Sequence, residues 1–141
     1  MDTVEFFVTP GYGDVLAQSL HYSQAVRVGN RVETSGQGGW DDEFNIPVPL
    51  EEEIETAFRN VSRTLVLAGA AWTDVIHVNS YHVIKETPDA GWKQHNEAMA
   101  HQYKVHLGSR RPIWTQSGVT SLGLPAMRIE IRVTAILDGI T

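Results

Sequence analysis

The sequence predicts an α+β layer in the order β-β-α-β-α-β-β, with two helices packed on one face of a mixed sheet. Three observations carry that prediction. Residues 127–137 alternate strictly, with Met127, Ile129, Ile131, Val133, Ala135 and Leu137 on one side and Arg128, Glu130, Arg132, Thr134 and Ile136 on the other. In residues 50–68, Ile54, Phe58, Val61 and Leu65 recur at helical spacing. Residues 21–36 alternate around Gly29-Asn30, a pair suited to a two-residue hairpin turn.

The elements follow in order. The hairpin places Tyr22, Gln24, Val26 and Val28 against Ser23, Ala25 and Arg27, and returns through Val32, Thr34 and Ser35. Gln37 to Pro49 is the one extended irregular stretch, with two glycines, two prolines, three acids and the aromatics Trp40 and Phe44. A loop of this length in a compact domain is often a site loop, so Trp40 and Phe44 either cap a cleft or pack on a neighbouring subunit. Glu51, Glu52 and Glu53 sit in the first turn of the helix that follows, where the dipole favours acids, and Gly69 stops it. Residues 74–84 are apolar on both faces, as expected of a strand inside a sheet. Thr87-Pro88-Asp89 opens a second helix, with Trp92, Met99, Tyr103 and Leu107 near one stripe and Gly108 as its stop. Pro112 to Ser121 is a further strand, and 127–137 closes the set.

Composition narrows the function. A chain of 141 residues with 42% hydrophobic and 20% charged residues is one globular domain spanning 1–141, without repeats or low-complexity tracts. No apolar run is long enough to span a membrane, and the first residues lack the basic start of a secretory signal. Cysteine is absent, which excludes disulfides, thiolate metal sites and a Cys nucleophile, and fits a cytoplasmic location. Seventeen acids against eleven Lys and Arg give a net charge of −6, which argues against a phosphate-tracking nucleic-acid partner. The six histidines offer no metal site: His77 and His82 point to opposite sides of a strand, and His95, His101 and His106 form no i, i+4 pair. P-loop, dinucleotide and nucleophile-elbow patterns are missing.

Tyr22-Ser23-Gln24-Ala25-Val26, Gly29-Asn30 and Thr34-Ser35-Gly36-Gln37 resemble the opening hairpin of the RidA/YjgF/UK114 family, also labelled L-PSP endoribonucleases. The helix at 51–68, Ala68-Gly69-Ala70, the strand at 74–84, Asn96, Arg110-Arg111-Pro112 and Ile129-Glu130-Ile131 follow in the family's order and spacing, so the resemblance covers residues 20–138. It implies a chorismate-mutase-like fold and a homotrimer with three clefts between neighbouring subunits. It also implies hydrolysis of a small enamine or imine, such as 2-aminoacrylate, to a 2-oxo acid and ammonia, with no metal or organic cofactor.

The resemblance transfers four positions: Tyr22 in the cleft, Ser35-Gly36 near the ligand, Asn96 on the second helix, and Glu130 as the acid that positions the attacking water. Each has a plainer structural reading. Tyr22 on a hairpin is a half-buried packing residue, Gly36 gives a sharp strand exit, and Asn96 is a satisfied polar group on a helix. A fifth position departs from the pattern. Imine-hydrolysing members carry a Pro-x-Arg whose arginine grips the substrate carboxylate; here it reads Pro112-Ile113-Trp114. An indole has one N–H donor and an apolar face, so Trp114 is either a platform for a more apolar substrate or an interface residue. Arg128 and Arg132 flank Glu130 on one strand face at about 6–7 Å, and Arg132 either receives an anionic ligand group or belongs to an ion-pair ladder at the subunit seam. The leading expectation is a homotrimeric, cofactor-independent enamine or imine deaminase-type hydrolase with a diverged pocket. The rivals are a non-catalytic metabolite-binding or regulatory trimer and, against the charge, an endoribonuclease.

Overall fold

The computed structural model describes residues 3–138. In chain order it contains β1 (Val4–Phe7), α1 (Tyr12–Leu20), β2 (Ala25–Val28), β3 (Arg31–Thr34), β4 (Gln37–Gly38), α2 (Leu50–Leu67), β5 (Val75–His82), α3 (Trp92–Leu107), β6 (Ile113–Gly118) and β7 (Ile129–Ile136), with a 3-10 turn at Trp72–Asp74 before β5. The strands form one sheet ordered β1-β2-β3-β7-β5-β6, and β4 pairs with β7 beside β3. All pairings are antiparallel except β5 with β6, which α3 joins as a crossover connection.

α2 and α3 lie on one face, as the apolar periodicities require. Ile54, Phe58, Val61 and Leu65 of α2 and Met99 of α3 pack on Val78, Ile129, Ile131, Val133 and Ala135 of the sheet. Helix α2 starts after Pro49 with its three glutamates in the first turn, and Gly69 ends it at φ +84°. Gly29 takes φ +58° in the two-residue turn that pairs Val28 with Arg31.

The sequence reading omitted β1, α1 and β4. β1 is four residues long and β4 two, too short to show a period. Helix α1 is nine residues with Gly13 inside it, and only Tyr12 and Gly13 are buried, so its apolar stripe is minimal. It is held instead by polar pins. Asp14 accepts the Gly11 N–H, and Tyr12, fully buried, donates its hydroxyl to Gln37 Oε1. Tyr12 also forms a second small core with Trp40 and Met127, flanked by Phe44 and Leu122.

Residues paired across strands share a face. Phe6, Val26, Glu33, Thr134, His77 and Ile113 therefore form one row across the sheet on the side away from α2 and α3. The ends of that row are apolar and open: Phe6 is 68% and Ile113 66% exposed. Glu130 and Arg132 belong to the same face.

Candidate functional site

Glu130 lies on β7 opposite Gly38 of β4 and Tyr81 of β5. A bulge shapes its surroundings. Glu33 pairs with Thr134 but Gln37 pairs with Ile131, so residues 34–36 of one strand face only 132–133 of the other. The ladder is repaired there by Thr34, whose Oγ1 accepts the Val133 N–H at 3.1 Å. Gly36 sits in the bulge directly over the Glu130 carboxylate, and a side chain at this position would collide with it. Burial pushes the Glu130 carboxyl above its usual range, and among the described residues it makes no hydrogen bond or ion pair. Tyr22 is close enough to feel it: burial first, then the Glu130 charge, raise the Tyr22 phenol. Tyr22 and Ser35 line a hollow of about 570 Å³ together with Phe6 and Glu33. Ser35 turns its hydroxyl inward, donating to the Gln24 carbonyl at 3.3 Å and accepting from Gln37 Nε2 at 3.2 Å. Tyr22, Ser35, Gly36 and Glu130 are thus brought together in one region of the chain.

Asn96 and Trp114 form a second group elsewhere. Asn96 on α3 accepts a 2.6 Å hydrogen bond from Gln116 of β6. Trp114 pairs with Val78 in β6–β5, which places it on the helix-covered face, opposite to that of Glu130. It is 36% exposed, meets Tyr103 of α3 edge-on at 5.0 Å, and donates its indole N–H to Ser80 Oγ at 2.8 Å. Behind Ser80 runs a buried chain that sequence reasoning missed. Ser80 Oγ lies 2.7 Å from His82 Nε2, and His82 Nδ1 lies 2.9 Å from His95 Nδ1. Burial lowers both imidazoles to about 4, aided at His82 by His95 and at His95 by the Arg128 charge. The alternation of β5 was the available signal for Ser80 and His82, but nothing in the spacing paired His82 with His95.

Two expectations are corrected. Arg128 does not flank Glu130. It precedes β7 and turns to α2, where its Nε meets Glu53 Oε1 at 2.7 Å and its backbone N–H meets Oε2 at 2.7 Å; its Nη2 also donates to the Pro47 and Val48 carbonyls. A fully buried Glu53 captures the guanidinium. Trp40 and Phe44 find partners inside the chain itself: Trp40 meets Tyr12 edge-on, and Phe44 packs on Trp40 beside that small core. The loop carrying them is pinned by Asn60, which donates to the Gly38 and Trp40 carbonyls. Arg132 does stay on the Glu130 face. Its charge reaches Glu33, where burial raises the carboxyl but hydrogen bonds from Arg31 and Thr134 and the charges of Arg31 and Arg132 outweigh it and hold the group below its usual range. Among the described residues no group of three or more His, Asp or Glu side chains is placed to hold a metal ion.

The sequence and the fold have relatives. The family model described as Endoribonuclease L-PSP matches residues 13–137. This chain belongs to the RidA/YjgF/UK114 family. Among its relatives, the RutC family protein YjgH of Escherichia coli (strain K12) is 31% identical over 114 residues, 81% of each chain. A 2-iminobutanoate/2-iminopropanoate deaminase of Dermatophagoides farinae is 42% identical over 62 residues, 43% of this chain and 48% of that one. The solved structure of protein YJGH superposes with a TM-score of 0.76 at 28% identity, covering 94% of both chains. Family membership accounts for the shared α+β fold. No helix among the described residues is long and apolar enough to cross a membrane.

Proposed function

We propose that this RidA-family chain is a cofactor-independent hydrolase of small imines or enamines, working in clefts between the subunits of a homotrimer. One observation carries the reading: Glu130 is a partly buried carboxylate with a raised pKa and no partner among the described residues, next to Tyr22 and beneath a glycine. An acid in that state is suited to general-base work near neutral pH. It takes a proton from water as the oxygen attacks the C=N carbon and returns it to the nitrogen, giving a carbinolamine; the same carboxylate then carries the hydroxyl proton to the nitrogen as the C–N bond breaks, so that ammonia leaves and a carbonyl remains. Tyr22 and the Ser35-Gly36 backbone orient the substrate from the same half-site. Asn96, Gln116 and Trp114 lie on the other sheet face, and a second copy supplies them. The exposed Phe6 and Ile113 row supports burial of that face between copies. The partial relative bearing a deaminase name supports the reaction class.

Trp114 shapes the preference. Its single N–H is spent on Ser80, so it gives a carboxylate no grip and offers the substrate an apolar ring. The expected substrates are imines of apolar or aromatic amino acids. An amino-acid oxidase generates such imines from a panel of amino acids, and semicarbazide traps what has not been hydrolysed. The protein should lower trapping most for the apolar members, and Glu130→Gln should slow that by about 100-fold. No acceleration for any member overturns the hydrolase reading. Trp114 favours a second reading, a metabolite-binding trimer, since the expected arginine clamp is gone. Saturable binding of 2-oxo acids without turnover of any imine would decide for it.

A further inference from the structure

A second groove lies along the C-terminal half of α3, away from Glu130. Its volume is about 300 Å³, at the small end of the range for small-molecule sites. Its apolar wall is Trp114 and Tyr103 with Leu107 and Pro112, and Lys104, Arg110 and Arg111 stand around it. Neither Asn96 nor Gln116 lines it.

The two aromatic rings offer a ligand no hydrogen bond. The Trp114 N–H is committed to Ser80, whose own oxygen is tied to His82. Among the described residues the buried Tyr103 hydroxyl has no hydrogen-bond partner, while its ring meets Trp114 at 73°. Together they form a rigid, corner-shaped apolar surface. The cations are the reverse. Lys104, Arg110 and Arg111 are exposed, and among the described residues none of the three is in an ion pair. Three unpaired cations on one short segment stand against a chain whose net charge is −6. The segment is also fixed: Gly108 turns the chain at φ +60°, and Arg110 donates its N–H to the Leu107 carbonyl at 3.1 Å.

We propose that this groove is a binding site for a small planar aromatic carboxylate, its ring against Trp114 and Tyr103 and its anionic group among Lys104, Arg110 and Arg111. Charge complementarity selects the anion, and the donor-free wall selects an apolar ring over a hydroxylated one. The site shares the Trp114 ring with the cleft of the hydrolase reading, but its anion-binding side chains are its own and it needs neither Glu130 nor a residue of a second copy.

The probe is 2-naphthoate, titrated into the full chain by calorimetry, with 2-naphthamide as the uncharged analogue. The expected result is one saturable site per chain for the carboxylate, with the amide bound at least about tenfold more weakly. The double variant Arg110→Ala/Arg111→Ala changes only exposed side chains, and circular dichroism checks its fold. It should weaken naphthoate by about tenfold or more and leave the amide unchanged. Glu130→Gln should leave naphthoate binding as it is. Equal binding of acid and amide, an unaffected double variant, loss of binding in Glu130→Gln, or no saturable heat at millimolar naphthoate would each overturn the proposal. Because the readout is binding, this site fails or stands separately from imine turnover.

Discussion

Gly36 and Glu130 show how a single missing side chain makes room for a carboxylate. The bulge brings the Gly36 backbone over the carboxylate so closely that a methyl group there would overlap it. Alanine at 36 must push the Glu130 side chain out of its place, while the sheet around it keeps its pairing. Gly36→Ala is therefore expected to cost about 1–2 kcal/mol of stability but to reduce imine turnover by at least about tenfold. Urea unfolding and the semicarbazide assay separate the two, and a variant with full turnover would remove Gly36 from the site. Trp114 is limited in the opposite way, by what it touches. Phenylalanine at 114 keeps the ring against Tyr103 but leaves Ser80 without its donor. That should destabilise the chain by about 1 kcal/mol.

Between elements, buried polar ties do what apolar packing alone does not. Glu53 of α2 holds both the backbone and the guanidinium of Arg128 just ahead of β7, and its side chain is fully buried. Glu53→Gln strands a mostly buried cation, so a loss of about 3–5 kcal/mol is expected in urea unfolding. Double replacement of Glu53 and Arg128 by apolar residues should recover part of it. A second tie, His82 to His95, joins β5 to α3 and titrates. Both folded-state values are near 4 against an ordinary 6.5, so the unfolded chain takes up protons first as pH falls. Their contribution is complete above about pH 6.5, is lost between there and about pH 4, and amounts to a few kcal/mol for the pair. Burial raises the Glu53 carboxyl, so that group works in the opposite sense over the acid range. Comparing the pH slope of unfolding with that of His95→Gln isolates the histidines; the variant should lose stability less steeply. These ties explain what was legible in the sequence. The α2 stripe, the β7 alternation and the Gly29-Asn30 turn are local periodic signals, and they predicted α2, the hairpin and the core. The destination of Arg128 was not legible, because alternation places a residue on a face only while the strand lasts, and β7 begins one residue later. Trp40 and Phe44 were misjudged because their partner, Tyr12, sits on a helix too short to show a stripe.

At the scale of the whole molecule, the chain separates the residues that the family pattern groups together. Glu130, Tyr22 and Gly36 belong to the uncovered face and hairpin end; Trp114, Asn96 and Gln116 belong to the helix-covered edge. One copy cannot close a site from both groups, whereas in the proposed homotrimer neighbouring copies would place each group of one against the other group of the next. Complementation tests that geometry directly. Glu130→Gln disables the first half-site and Asn96→Leu the second, so each variant alone should be inactive towards imines. Unfolded together and refolded as an equal mixture, they form clefts in which each half is drawn at random. A cleft is intact only when its Glu130 comes from the Asn96→Leu chain and its Asn96 from the Glu130→Gln chain, so about one quarter of wild-type turnover should return. Mixing the folded variants without unfolding should restore none at first, with recovery only as subunits exchange. If the refolded mixture stays at the level of its parents while wild type treated in the same way recovers, each site is built within one copy and the shared-cleft assembly is wrong.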